Sequence, residues 1–258
     1  MKAANPQAFD YLTEERIVEQ VDGQMVAAEE RPLVVINETT PAGLKGEVAA
    51  EEIEMPVLGQ VAVVGMSVLF VFLAAQHTAE SIYYEKRIGS FRRLMAAPIS
   101  RAALMSGKLL PNFILTLIQV IVLMLVGVFI IPLIGVPSLN LSQNPFGVVL
   151  ASLIIALCST SLGIFIAGIA RTESQVGGFS NALLWMAGIL GGSMVPVFLF
   201  PEGLDKIARV VPHYWANQTL FDLIFRGATL SDVGPSLLVL LGFSALFFLV
   251  GIWRFEFD

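Results

Sequence analysis

The chain has 258 residues, 56% of them apolar and 14% charged, with a mean hydropathy of +0.78. Soluble domains carry roughly 25% charge; too few charges are present here to cover a soluble surface, which indicates an all-α polytopic membrane protein. A single cysteine, Cys158, excludes an internal disulfide framework and a thiolate metal centre, and the lack of a basic, aromatic-interleaved surface argues against nucleic-acid binding.

The net charge of −6 is unevenly distributed. Residues 1–56 hold twelve acids and four bases, whereas 57–258 hold nine acids and eleven bases. The first segment is therefore an acidic domain or tail with no apolar run long enough to span a bilayer, and none follows Lys2 as in a signal peptide. Within it, residues 32–36 (PLVVI) read as a short strand bounded by Asn37 and Pro41.

Five later stretches reach the roughly 20 residues that a helix needs to cross about 30 Å of hydrocarbon. They lie at about 57–79, 106–134, 147–170, 177–199 and 235–253. Pro111 is expected near the start of the second, where a missing N–H is harmless. Gly191, Gly192 and Pro196 predict a kink or break in the outer end of the fourth.

Lys86, Arg87, Arg92, Arg93, Arg101 and Lys108 cluster after the first span, with Arg171 after the third and Arg254 after the fifth. The positive-inside tendency places these bases in the cytoplasm. The C-terminus is then cytoplasmic and residues 1–56 extracytoplasmic. Either the acidic segment is translocated unaided, or a first transmembrane helix that would precede it is missing from this chain; the second reading is preferred.

The loop at 80–105 reads as an amphipathic cytoplasmic helix. Tyr84, Ile88, Phe91 and Met95 recur at helical spacing, with Glu85, Lys86, Arg92 and Arg93 largely opposite, and the helix should stop before Pro98. It is either a positive-inside loop without a further task or a docking surface for a cytoplasmic partner. On the other side of the membrane, Leu204, Ile207, Ala208 and Val211 predict an interfacial helix, with Glu202, Asp205, Lys206 and Arg209 facing away. The aromatic run His213, Tyr214 and Trp215 after Pro212 reads as a headgroup anchor.

Polar residues within the spans are few: Gln60, Gln119, Cys158, Ser159, Thr160, Ser161, Asn181 and Gln175. Small hydroxyls at such positions mark helix packing. No Asp, Glu, Lys, Arg or His lies in mid-span, which argues against an ion-coupled secondary carrier. His77 and Glu80, at i and i+3, are too few to make a metal site. No P-loop is present either: Gly107 and Lys108 are preceded by Ala102 where the first glycine should stand and followed by Leu109 where Ser or Thr is required.

Two blocks resemble one family. EKRIGSFRRLMAAPISRAALMSGKLL (85–110) is similar to the cytoplasmic loop of ABC-2 type transporter permeases. Glu85 and Lys86 match its acid–base pair, and Gly89 its glycine, with Ser90 where Thr is usual. Arg93, Leu94, Pro98, Gly107 and Lys108 also match. The second block, 191–224, resembles the family's broken helix and re-entrant segment with its Pro-x-x-Trp-Ala step, here Pro212 to Ala216.

The resemblance implies the membrane subunit of an ATP-binding-cassette exporter. It implies a second permease half, homo- or heterodimeric, and a separate ATPase subunit that binds ATP and Mg; no cofactor is expected in this chain. By analogy, Glu85, Lys86, Gly89, Phe91, Arg92, Arg93 and Leu94 form the helix that couples to the ATPase. Gly191, Gly192, Pro196, Pro212 and Trp215 belong to an outer gate or re-entrant element. Family members usually begin with a transmembrane helix and an external domain, and this chain starts inside what would be that domain. The scarcity of charge in the spans suits a drug, lipid or other amphipathic cargo. Composition fits the inner membrane of a prokaryote. The rival readings are a truncated, non-transporting scaffold half and, less favoured, an ion-coupled carrier.

Overall fold

The computed structural model describes residues 58–255 except 97 and 202. The acidic segment 1–56, with the strand expected at 32–36, lies outside the described residues, as does Glu202.

The described residues are helical, with no strand among them. Helix α1 (Leu58–Arg87) is followed by a short α2 (Ser90–Met95) and by α3 (Arg101–Leu125). A π-helical turn at Val126–Ile130 and a 3-10 turn at Ile131–Ile134 extend α3 to Gly135, whose φ of 81° ends it. Next come α4 (Pro145–Ile169) and α5 (Ser180–Leu190), the latter entered through a π-helical turn at Gln175–Phe179. A five-residue α6 (Leu204–Ala208), α7 (Pro212–Phe225) and α8 (Leu230–Arg254) complete the chain.

Four helical stretches are long and apolar enough to cross a membrane: Leu58–Arg87, Ala102–Ile134, Pro145–Ile169 and Leu230–Arg254. The stretch anticipated as the fourth span, 177–199, is the exception. Its helix runs from 173 to 190 with the π turn, about 27 Å at 1.5 Å per residue. It stops at Gly191, where the glycine pair foretold a break.

Helix α4 is the centre of the bundle, packed chiefly against α8 and α1. Small residues make those crossings close. A Cβ on Gly163 would meet the Ala75 carbonyl at 2.6 Å, and one on Gly168 would meet the Gly251 carbonyl at 2.5 Å. Ser159 Oγ donates to the Val71 carbonyl at 2.6 Å across the α1–α4 contact. Cys158, Ser159, Thr160 and Ser161 are all buried, so the hydroxyl run serves helix packing as its composition suggested. Gln119 similarly joins α3 to α1, through Nε2 to the Phe70 carbonyl at 2.9 Å.

By contrast α3 turns a continuous apolar stripe outward, including Leu110, Ile114, Ile118, Ile121, Leu125 and Phe129, each exposed. A surface of this kind belongs in hydrocarbon rather than water. Pro111 departs from its expected place. Because Ser100 caps α3 (Ala103 N to Oγ, 3.1 Å), the proline falls inside the helix rather than at its first turn. The carbonyl of Gly107 there loses its intrahelical donor.

Two interfacial expectations are corrected. The helix at 80–105 is not continuous: α1 runs on to Arg87, Gly89 takes a left-handed φ of 71°, and α2 starts anew at Ser90. Of the expected periodic residues, Tyr84 therefore stays on α1, Ile88 falls in the turn, and Phe91 and Met95 belong to α2. The outer helix shrinks to α6, and the aromatic run after it is no headgroup anchor. Pro212, His213 and Tyr214 form the buried first turn of α7, His213 being 0% exposed.

Candidate functional site

Two regions bring together the residues that the sequence singled out. The first is the junction of α1, α2 and α3. Glu85 forms an ion pair with Lys108 Nζ, with both side chains about three-quarters buried, and this ties α1 to α3. Lys86 Nζ lies 5.2 Å from the Phe255 ring centroid. Phe91 is 1% exposed and meets the same ring edge-on at 5.2 Å. Three of the expected coupling residues thus face the protein's own bundle.

What remains outward is a smaller surface. Tyr84, Ile88 and Leu94 are exposed apolar side chains around a shallow depression that Arg93 and Ser90 also line. Gly89 makes this possible: its left-handed turn swings α2 off the line of α1, burying Phe91 and leaving Leu94 outside. Arg93 Nη2 donates to Ser90 Oγ at 3.5 Å. Nearby, Arg87 bonds Glu173 at 2.6 Å, which connects this end of α1 to the turn after α4. An apolar-edged depression that Arg93, Glu80 and Glu85 also line, on a braced helical corner, is suited to receiving a complementary surface.

His77 Nδ1 and Glu80 Oε2 approach to 3.7 Å, and Gln76 Nε2 donates to Glu80 Oε1 at 2.7 Å. Among the described residues no third His, Cys, Asp or Glu joins them to make a metal-sized cluster.

The second region is the break after α5. Gly191 and Gly192 end that helix, Gly192 with φ of 86°. The chain then passes between α1 and α7. A Cβ on Gly191 would lie 2.4 Å from His213 Cβ, and one on Gly65 would lie 2.3 Å from the Ser193 carbonyl oxygen. Asn217, on α7, holds the break: its Nδ2 donates to the Gly191 carbonyl and to Ser193 Oγ, both at 2.9 Å. One turn earlier the His213 ring packs on Phe72 with centroids 4.2 Å apart. Trp215 is half-buried and donates from Nε1 to the Arg209 carbonyl at 2.9 Å, fastening α6 to α7.

Gly191 therefore packs on the first turn of α7 at His213 and Tyr214, a turn that Pro212 opens, while Trp215 faces the end of α6. Gly192 and Pro196 instead line a cavity of about 180 Å³ beside Asn217. Asn217, His213, Ser193 and Gly65 were not among the anticipated site residues. Neither Asn217 nor Gly65 had a local signal: Asn217 stands in a polar step with Gln218 and Thr219, and the partner of Gly65 is backbone 128 positions away.

Comparison with known proteins supplies a frame for both regions. A family model described as ABC-2 family transporter protein matches residues 10–253. The linearmycin resistance permease protein LnrN of Bacillus subtilis is 29% identical over 189 residues, 73% of this chain and 47% of that protein. The inner membrane transport permease YhhJ of Escherichia coli is 27% identical over 188 residues, 71% of this chain and 48% of that protein. ABC transporter G family member 20 of Dictyostelium discoideum is 28% identical over 191 residues, 73% of this chain and 25% of that protein. The chain spans about half the length of the first two relatives or less of the third. No solved structure gives a significant match.

Proposed function

The chain belongs to the ABC-2 family of transporter proteins, and on that premise we propose that it is the permease subunit of an exporter driven by a separate ATP-binding-cassette ATPase. ATP and Mg would be bound by that partner. A second permease half, identical or related, would complete the membrane path in the inner membrane of a prokaryote, with the α1–α2 corner and the C-terminus cytoplasmic.

The observation that supports this reading is the corner itself. Tyr84, Ile88, Arg93 and Leu94 project from a junction braced by the Glu85–Lys108 pair and by Phe91 on Phe255. Closure of the ATPase would push on this corner. The brace would pass the movement to α1 and α3 as a rigid-body tilt rather than dissipate it in a loose loop. The coupling role narrows from the whole run 85–94 to the residues that face outward.

An amphipathic cargo is the reading that the spans favour. LnrN is named for resistance to linearmycin, and a drug or lipid is proposed for this chain without a closer identity. Reversing the charge at Arg92 and Arg93 tests the docking role. The expected result is loss of ATP-driven export with the helices intact by circular dichroism; unchanged export and unchanged stimulation of the ATPase would rule that role out. A non-transporting scaffold half would instead bind the ATPase without cargo-dependent stimulation.

A further inference from the structure

A groove runs down the flank of the bundle between α4, α5 and α8. Its volume is about 390 Å³, within the roughly 300–1,000 Å³ that ligand pockets occupy. Phe165 and Ile169 of α4, Phe179 and Leu183 of the α5 stretch, and Phe243 and Phe247 of α8 make most of its walls. Ile169, Phe179 and Leu183 are exposed, so the groove opens sideways toward hydrocarbon. Along α4 it extends from Leu162 to Ala170, about 12 Å at 1.5 Å per residue. That is close to one leaflet's share of a hydrocarbon core roughly 30 Å thick. Residues 210–213, the turn into α7, close the deep end. The groove therefore offers no way through to the other leaflet.

Its other end, at Ala170 and Gln175, is the basic one. Helices α4 and α8 run parallel. Asn144 Nδ2, just before α4, donates to the Ala228 carbonyl, just before α8, at 3.0 Å, and Gly168 meets the Gly251 backbone near their other ends. Arg171 and Arg254 each follow that crossing by three residues, so both leave the bundle at one level. Both are exposed, and among the described residues neither guanidinium has an acidic partner. Arg254 lies over the Trp253 ring, 5.7 Å from its centroid, and Trp253, exposed itself, marks the headgroup level. The Arg171 N–H donates to Gln175 Oε1 at 2.7 Å, which fixes that backbone at the groove mouth. Glu173, the acid beside it, is taken up by Arg87 at 2.6 Å.

We infer that this groove holds an anionic phospholipid from the leaflet on the side of the α1–α2 corner. One acyl chain lies between α4, α5 and α8, and the phosphate meets Arg171 and Arg254. A basic mouth above an apolar trough one leaflet deep matches a lipid that carries its negative charge at one end of a long chain, and basic pockets between spanning helices attract such headgroups. The lipid is a fixed part of the packing rather than cargo: the groove is blind, and its occupant fills the flank that α5 leaves open by ending at Leu190. This inference does not depend on the permease reading.

The test places the full chain in nanodiscs of dioleoylphosphatidylcholine with a trace of phosphatidylglycerol or phosphatidylcholine, each bearing an alkyl diazirine on one acyl chain. After photolysis, mass spectrometry compares groove peptides containing Phe165 or Phe247 with α3 peptides containing Ile114 or Ile118, which report bulk lipid. Relative to that reference, the groove should be labelled at least about fivefold more by phosphatidylglycerol, the equivalent of one well-placed base at an anionic surface. Arg171→Gln combined with Arg254→Gln should bring phosphatidylglycerol down to the phosphatidylcholine level at an unchanged melting temperature. Ala187→Phe narrows the groove from α5, leaves both arginines in place and should lower groove labelling by both probes. If that variant proves unstable, the exposed arginine pair still decides. Equal labelling by the two lipids, a preference that survives loss of both arginines, or groove labelling that a folded Ala187→Phe chain leaves unchanged would overturn the site. ATP-driven transfer of the phosphatidylglycerol probe to the other leaflet, lowered by Ala187→Phe, would overturn its role as a fixed ligand.

Discussion

Gly65 and Ser193 are in direct backbone contact: a side chain on the glycine would begin 2.3 Å from the serine's carbonyl oxygen. Helix α1 can therefore pass the broken end of α5 only because position 65 has no Cβ. Gly65→Ala is expected to lower stability by about 1–3 kcal/mol, the usual range for overpacking, read as a lower melting temperature in detergent. Gly242→Ala, on α8 with open space around its Cβ position, should be stabilising by about 0.5–1 kcal/mol through helix propensity. A destabilisation by both substitutions to the same extent would count against this packing.

This contact also shows where sequence reading ends. The places of the apolar helices followed from apolar runs bounded by proline and charge, although the first runs on to Arg87 and the fourth stops at Leu190, and the Gly191–Gly192 pair marks the break after α5. Local signals sufficed because each depends on neighbours in the chain. The fate of Glu85 and Lys86 was not legible. Their spacing fitted an outward helical face, but a left-handed glycine four residues after Glu85 redirected the chain, and Lys108, 23 positions on, captured the carboxylate. The anchor reading of His213 and Tyr214 failed for a related reason. Aromatic amphipathic residues suit an interface and a bundle interior equally well, and only the packing of α7 on α1 and α5 decides between them.

The Glu85–Lys108 pair is partly shielded from water, so its coupling energy should be about 1 kcal/mol, at the upper end for exposed pairs. A double-mutant cycle with Glu85→Gln and Lys108→Met measures it. The exchanged pair, Glu85→Lys with Lys108→Glu, should recover most of the stability that either single reversal loses. If Glu85 acted instead by contacting the ATPase, the exchanged pair would regain stability but not ATPase binding.

Gly89→Ala places a Cβ in the left-handed region, where L-residues lose roughly 1–2 kcal/mol, although no neighbouring atom would touch it. The strain is expected to straighten the α1–α2 corner rather than unfold the bundle. Export should fall several-fold while the melting temperature drops only a few degrees. Gly89→Asn, better tolerated at positive φ, should keep more of the activity than alanine.

Ser159 Oγ and the Val71 carbonyl link the two most extensively packed spanning helices on the α1 side. Interhelical bonds in membranes average about 0.6 kcal/mol, so Ser159→Ala should be mild. Ser159→Val should cost more, because Ser159 is fully buried and the added methyl groups have no room. Unfolding in mixed micelles separates the two.

If the chain works as a permease half, Arg93 and its exposed apolar neighbours receive force from a separate ATPase. The test reconstitutes the full chain in proteoliposomes with an ATP-binding-cassette subunit captured with it from its host membrane and compares wild type with Arg93→Glu. The expected result is stimulated ATP hydrolysis with the wild-type chain, at least a tenfold loss of that stimulation in the variant, and equal melting temperatures. Equal stimulation by both chains, or none by either, would contradict it.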